Sequence, residues 1–137
     1  MEIDEALTAY LLSCSGLTAL IGRRLYSDSA AQSISLTDGP TLVYDLISEE
    51  TTDTFVQQTT ELTGDTFQFS AWATTRKVAD STARQIKKAF KNYSGVMGGE
   101  SGVTVNAILQ ISKSKDSTET PKLFRTMYEF QIWYQEV

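Results

Sequence analysis

Apolar residues recur along this chain in two rhythms, and the switches between them mark the elements. In "EIDEALTAYLLSCSGLTALIG", Ala6, Leu7, Tyr10 and Leu11 share one helical face, which predicts an amphipathic helix. Asp4 and Glu5 fall where the positive end of the helix dipole favours acids. "SCSG" ends that helix, and Leu17, Leu20 and Ile21 suggest one short further turn closed by Gly22. A membrane-surface helix would carry Lys or Arg on its polar side, and none precedes Arg23. A core-packing helix pair is therefore expected.

Pro40 opens a strand in which Leu42, Tyr44 and Leu46 alternate with Val43, Asp45 and Ile47. Both faces are largely apolar, so a central strand is expected. Residues 49–66 are rich in Thr, Gln and acids and read as a projecting hairpin or loop. The rhythm is cleanest in "FQFSAWATTRKVADSTARQIKKAF", residues 67–90. Phe67, Phe69, Ala71 and Ala73 line one strand face, opposite Gln68, Ser70 and Trp72. Thr74 or Thr75 then suits an N-cap. Val78, Thr82, Ala83, Ile86, Ala89, Phe90 and Tyr93 form the apolar stripe of a long helix, for which Gly95 supplies a left-handed stop. Val103, Val105, Ala107, Leu109 and Ile111 alternate as a strand, and so do Tyr128, Phe130, Ile132 and Tyr134. The polar residues 112–122 between them read as a mobile hairpin loop.

With 137 residues, these elements predict a single α+β domain spanning residues 1–137. The expected sheet is mixed or mostly antiparallel, with four to five strands. An N-terminal helix and one long helix pack on one face.

Composition narrows the chemistry. The chain has no histidine and one cysteine, Cys14. That removes Ser-His-Asp and Cys-His catalysis, histidine or thiolate metal sites and an internal disulfide. Carboxylate or Ser-Lys chemistry stays open, but neither has a recognisable spacing. Glu49 and Glu50 are strand neighbours and point to opposite faces, so they do not form an acid–base pair. The glycines of "GVMGGESG" follow a helix and precede a strand, the reverse of a phosphate cradle. The first residues carry acids and no base, so no secretory signal is expected. No apolar run is long enough for a membrane span.

Charge is segregated along the chain, whose net charge is −5. Lys77, Arg84, Lys87, Lys88 and Lys91 form a stripe on the long helix. No aromatic residue interleaves with it, so it lacks the stacking platform of a single-strand nucleic-acid binder. Between Arg24 and Arg76 there is no Lys or Arg, while Asp28, Asp38, Asp45, Glu49, Glu50, Asp53, Glu61 and Asp65 fall in that span. A chain that packs head-to-tail against copies of itself needs two different, complementary patches. The bland alternative is a solvated basic face and chance segregation.

Several stretches together resemble the tail-terminator, or tail-completion, proteins of long-tailed bacteriophages. They are "ALTAYLLSCSGLTALIGRRLY", "PTLVYDLIS", "FQFSAWATTRKVADSTARQIKKAF" and "LFRTMYEFQIWY". The resemblance covers nearly the whole length and lies in packing residues rather than a catalytic signature. It implies a structural virion protein, assembled in the host cytoplasm, that forms a ring of typically six subunits on the head-proximal end of the tail tube. The ring stops tube polymerisation and offers the surface that joins tail to head. Its partners are other copies of itself, the tail tube protein and a head–tail connector or neck protein. Genome DNA passes through the ring without specific binding, and no membrane, cofactor or enzymatic step is implied. On this reading Arg84, Lys87, Lys88 and Lys91 are candidates for a subunit or tail-protein interface. Asp53, Phe55, Gln57, Gln58, Glu61 and Asp65 are candidates for a lumen- or tube-facing segment, where acids would repel the DNA backbone. Another head–tail component, a stopper or neck protein, fits the same pattern. A small α+β enzyme or ligand-binding domain would instead show an enclosed apolar pocket, and an RNA-binding sandwich would expose aromatics on its sheet.

Overall fold

Local signals place the helices where the periodicity puts them. The computed structural model describes residues 2–27, 39–52, 61–99, 101–119 and 122–136. Helix α1 spans Ile3–Ser13, with Asp4 and Glu5 in its first turn, and buries Ile3, Ala6, Leu7 and Leu11. Helix α2, Ser15–Ile21, ends at Gly22 in the left-handed region (φ 59°), the backbone that glycine adopts at least cost. Helix α3, Arg76–Phe90, starts at Thr75, whose hydroxyl accepts from the Val78 N–H. It buries Ala79, Thr82, Ala83, Ile86 and Phe90, so the stripe lies one residue away from the expected Val78 at its start. Its stop is Asn92 (φ 56°) and not Gly95. Asparagine tolerates this region because its short amide can bond locally.

Six strands form one sheet: β1 (Leu25–Ser27), β2 (Thr41–Thr52), β3 (Glu61–Ala73), β4 (Gly95–Met97), β5 (Val103–Glu119) and β6 (Lys122–Glu136), in spatial order β1-β2-β3-β6-β5-β4. The β1–β2 pair is parallel and the others are antiparallel. The sheet thus has more strands than the four to five expected, because the short flanking strands β1 and β4 carry little periodic signal.

Two stretches, one read as a projecting hairpin or loop and the other as a mobile hairpin loop, contain paired strand. Residues 49–52 pair with 62–65, so this part of the expected projection belongs to the sheet. Residues 112–119 pair with 122–129, where a mobile hairpin loop was expected. Their polar side chains hide the strand, but the backbone ladder needs no apolar content.

One face of the sheet carries the helices. Leu42, Tyr44, Phe67, Phe69, Ala71, Tyr128, Phe130 and Ile132 are buried there with Leu7, Leu11, Ile86 and Phe90. At the centre Phe90 meets Phe69 at 5.2 Å and Phe130 at 5.1 Å between ring centroids, both edge-on, the geometry that the ring quadrupoles favour.

Strand β5 breaks the clean alternation expected from Val103 to Ile111. Bulges fall between Val105 and Ala107 and between Gln110 and Ser112. Each bulge inserts a residue and reverses which side chains face the core. Ile108 therefore packs on the core, whereas Leu109 and Ile111 are exposed.

Candidate functional site

The amphipathic pattern of α3 positions the most distinctive surface. With its apolar stripe on the sheet, its flank carries Arg84, Lys87, Lys88 and Lys91 at helical spacing, all exposed. The structure brings these four together in one groove of about 320 Å³, completed by Lys113 and Tyr128. Among the described residues the lining is cationic apart from Tyr128.

Lys113 reaches this groove because of the second bulge in β5. Past Gln110 the parity reverses, so Lys113 pairs with Tyr128 on the helix-bearing face. Its ammonium lies 5.5 Å from the Tyr128 ring centroid, within cation–π range. Lys115, two residues on, shares that face and bridges Asp80 of α3 at 3.1 Å. The two bulges cancel, so Lys113 returns to the face of Val103 and Val105. The polar run 112–122, which reads as a loop, is what conceals it.

Asp80 anchors the start of α3 to β5 and β6. It accepts from the Thr126 hydroxyl at 2.7 Å as well as from Lys115. Burial pushes its carboxyl up, but these two hydrogen bonds and the charges of Lys115 and Arg76 outweigh that and hold it below the usual carboxylate value. Arg76 donates to the carbonyl oxygens of Arg125 and Asp116, at 3.0 and 2.7 Å. Arg125 in turn grips Asp116 through Nε (3.0 Å) and through its Nη2. That grip, more than the opposing burial, lowers the Asp116 pKa. The start of α3 is thereby tied to the β5–β6 hairpin, which holds both walls of the groove.

A second, shallow recess of about 410 Å³ lies at the opposite edge of the sheet, beside β1–β2. Asp4, Glu5, Thr8, Ala9, Ser27 and Tyr44 line it. The Thr8 hydroxyl is 2.6 Å from that of Tyr44, which donates to the Asp4 carbonyl at 3.1 Å. An acidic recess therefore lies beside β1–β2 and a basic groove beside β5 and α3, with β3 and β6 between.

The other expected segment fares differently. Asp53, Phe55, Gln57 and Gln58 lie outside the described residues. Glu61 opens β3. Asp65 is only 2% exposed and accepts from the Tyr134 hydroxyl at 2.9 Å. Its carboxylate thus faces the interior of this chain. No cluster of His, Cys, Asp and Glu suited to a metal occurs among the described residues, nor does a helix long and apolar enough to cross a membrane.

No protein-family profile matches the chain, and no curated protein does. Among solved structures it is similar to a chain of the "virion of native gene transfer agent (GTA) particle", with a TM-score of 0.66 and 17% identity. The match covers 98% of this chain and 98% of that one. Such a likeness shows a common fold across the whole length.

Proposed function

We propose that this chain is a structural protein of a phage-like virion that acts as a tail terminator. It forms a ring on the head-proximal end of the tail tube, halts tube growth and presents the head-joining surface. The observation that carries this reading is the end-to-end likeness in fold to a chain of a phage-like virion particle. The separation of an acidic recess beside β1–β2 from a basic groove beside β5 supports it. Two unlike, complementary patches on one chain suit head-to-tail rings, whereas two-fold dimers reuse one patch. The partners are other copies of this chain, the tail tube protein and a head–tail connector, with DNA passing through the ring.

The test is solution mass over a concentration series, with negative-stain imaging alongside the tail tube protein. Rings, free or capping tubes of limited length, are the expected result. Chains that never cap tubes, but bind preassembled connectors, would assign it to the neck instead. Chains that engage neither overturn the reading.

A further inference from the structure

Both sides of the sheet end in a strand far shorter than its neighbour. β1 covers β2 only at Leu42, Val43 and Tyr44, and β4 covers β5 only from Val103 to Val105. β2 runs on to Thr52 and β5 to Glu119. Among the described residues no strand pairs with the outer side of either beyond those points. Such an edge offers N–H and C=O groups to an incoming strand.

Among the described residues, these two edges match each other. On β2, Leu46 and Ile47 are 54% and 49% exposed; on β5, Leu109 and Ile111 are 50% and 53% exposed. In charge they are opposite. The β2 side carries exposed Glu49 and the recess holding Asp4 and Glu5, while the β5 side carries Lys113, Lys115 and the groove. Pairing β2 with β2, or β5 with β5, would juxtapose like charges, whereas pairing β2 with β5 joins unlike ones.

Direction agrees as well. The ladders make β2 antiparallel to β3, β3 to β6, and β6 to β5, so β2 and β5 run in opposite senses. Rotation of a second copy about an axis along the strands therefore sets its β2 antiparallel to β5 of the first. The same rotation keeps every set of helices on one side of the assembly. Glu49 pairs with Asp65 and Lys113 with Tyr128, so both lie on the helix-bearing face. Strand addition would bring Glu49 of one copy to the side of the sheet on which the groove of the next opens. A slide along the strands moves residues 46–52 clear of β4 and onto 107–115, a stagger that closing a sheet requires in any case. The end of β5 past Lys115 then has to bend away from β1, which holds the same edge of β2 at 42–44.

We infer that copies of this chain join by strand addition, β2 residues 46–52 of one against β5 residues 107–115 of the next, so that one sheet runs through the assembly. The inference rests on the ring reading above and names its contact. It is tested on the full chain, free and assembled on tail-tube ends, by amide hydrogen exchange. Assembly should slow exchange in both 46–52 and 107–115 by roughly tenfold or more. Leu46→Asp and Ile111→Asp should each abolish assembly while leaving the circular dichroism of the monomer unchanged. If either variant fails to fold, the wild-type exchange pattern decides. Rings in which both segments exchange as in the monomer overturn strand addition and leave the terminator reading standing. A chain that assembles neither alone nor on tubes overturns both.

Discussion

The ammonium of Lys113 rests 5.5 Å from the centroid of the Tyr128 ring on the adjacent strand, and both side chains line one groove with the basic flank of α3. A β-bulge, a helix stripe and an aromatic platform together concentrate positive charge at one side of the sheet. Cations held this close repel one another, so the groove gains by meeting acids.

Reversing Arg84, Lys87, Lys88 and Lys91 together to Glu should block assembly and leave the monomer folded, since all four are exposed. Lys113→Glu alone should raise the protein concentration needed for half-assembly roughly tenfold and change monomer stability by under about 1 kcal/mol. Lys77→Glu, outside the groove lining, should leave assembly unchanged. Sedimentation at two salt concentrations reads all three. An assembly threshold that ignores the groove reversals would remove the groove from the interface.

Phe90 is the packing centre on which the groove depends. It is buried between Phe69 and Phe130 and also stacks on Tyr10 at 6.2 Å. Phe90→Ala should cost about 3–5 kcal/mol through lost burial and the cavity left behind, read from a denaturant midpoint. Phe90→Leu should recover more than half of that loss. Equal destabilisation by both would point to a ring-specific contribution larger than packing.

The strand-to-helix unit from Phe67 to Phe90 was legible because two strong periods meet at a capping Thr. The interior-facing residues of β3 and the basic flank of α3 follow directly from that pattern. The arms 49–52 and 112–119 were not legible, since the ladder and cross-strand pairs such as Asp116–Arg125 hold them, and polar side chains then imitate a loop. The bulges of β5 leave no compositional mark, so the exposure of Leu109 and Ile111 could not be read, while Lys113 was hidden because its polar stretch reads as a loop. The burial of Asp65 was not legible for a related reason: its paired strand and its bond to Tyr134 turn inward a residue that reads as solvated.

Gly64 shows how a strand can hide in a Thr-rich stretch. It stands opposite Trp133 in the ladder, and a Cβ there would meet that indole at 2.7 Å. The ring covers the glycine backbone in place of a side chain and itself donates to Gln131 at 3.1 Å. Gly64→Ala should destabilise by about 1–3 kcal/mol by overpacking, and Trp133→Leu in the same chain should relieve part of it. A melting temperature unmoved by Gly64→Ala would show that the indole swings aside at no cost.

The Asp80 contacts predict a dependence on pH with a definite sign. Its folded pKa lies below the ordinary value despite burial, because Thr126 and Lys115 donate to it and Arg76 lies near. A carboxyl depressed by folding contributes stability that is complete above its unfolded value, about 3.9, and is lost as pH falls through its folded value. Asp116, held down by Arg125, acts in the same direction. Replacing Asp80 with Asn removes a partly exposed charge, so the loss at neutral pH should be about 1 kcal/mol. The gap between wild type and variant should be constant from pH 8 to about 5 and should close on acidification below about 4. Denaturant midpoints from pH 7 to 3 test this. A gap that persists at pH 3 would mean that Asn fails by shape rather than by charge, and the ionic account of how α3 is tied to the β5–β6 hairpin would have to be given up.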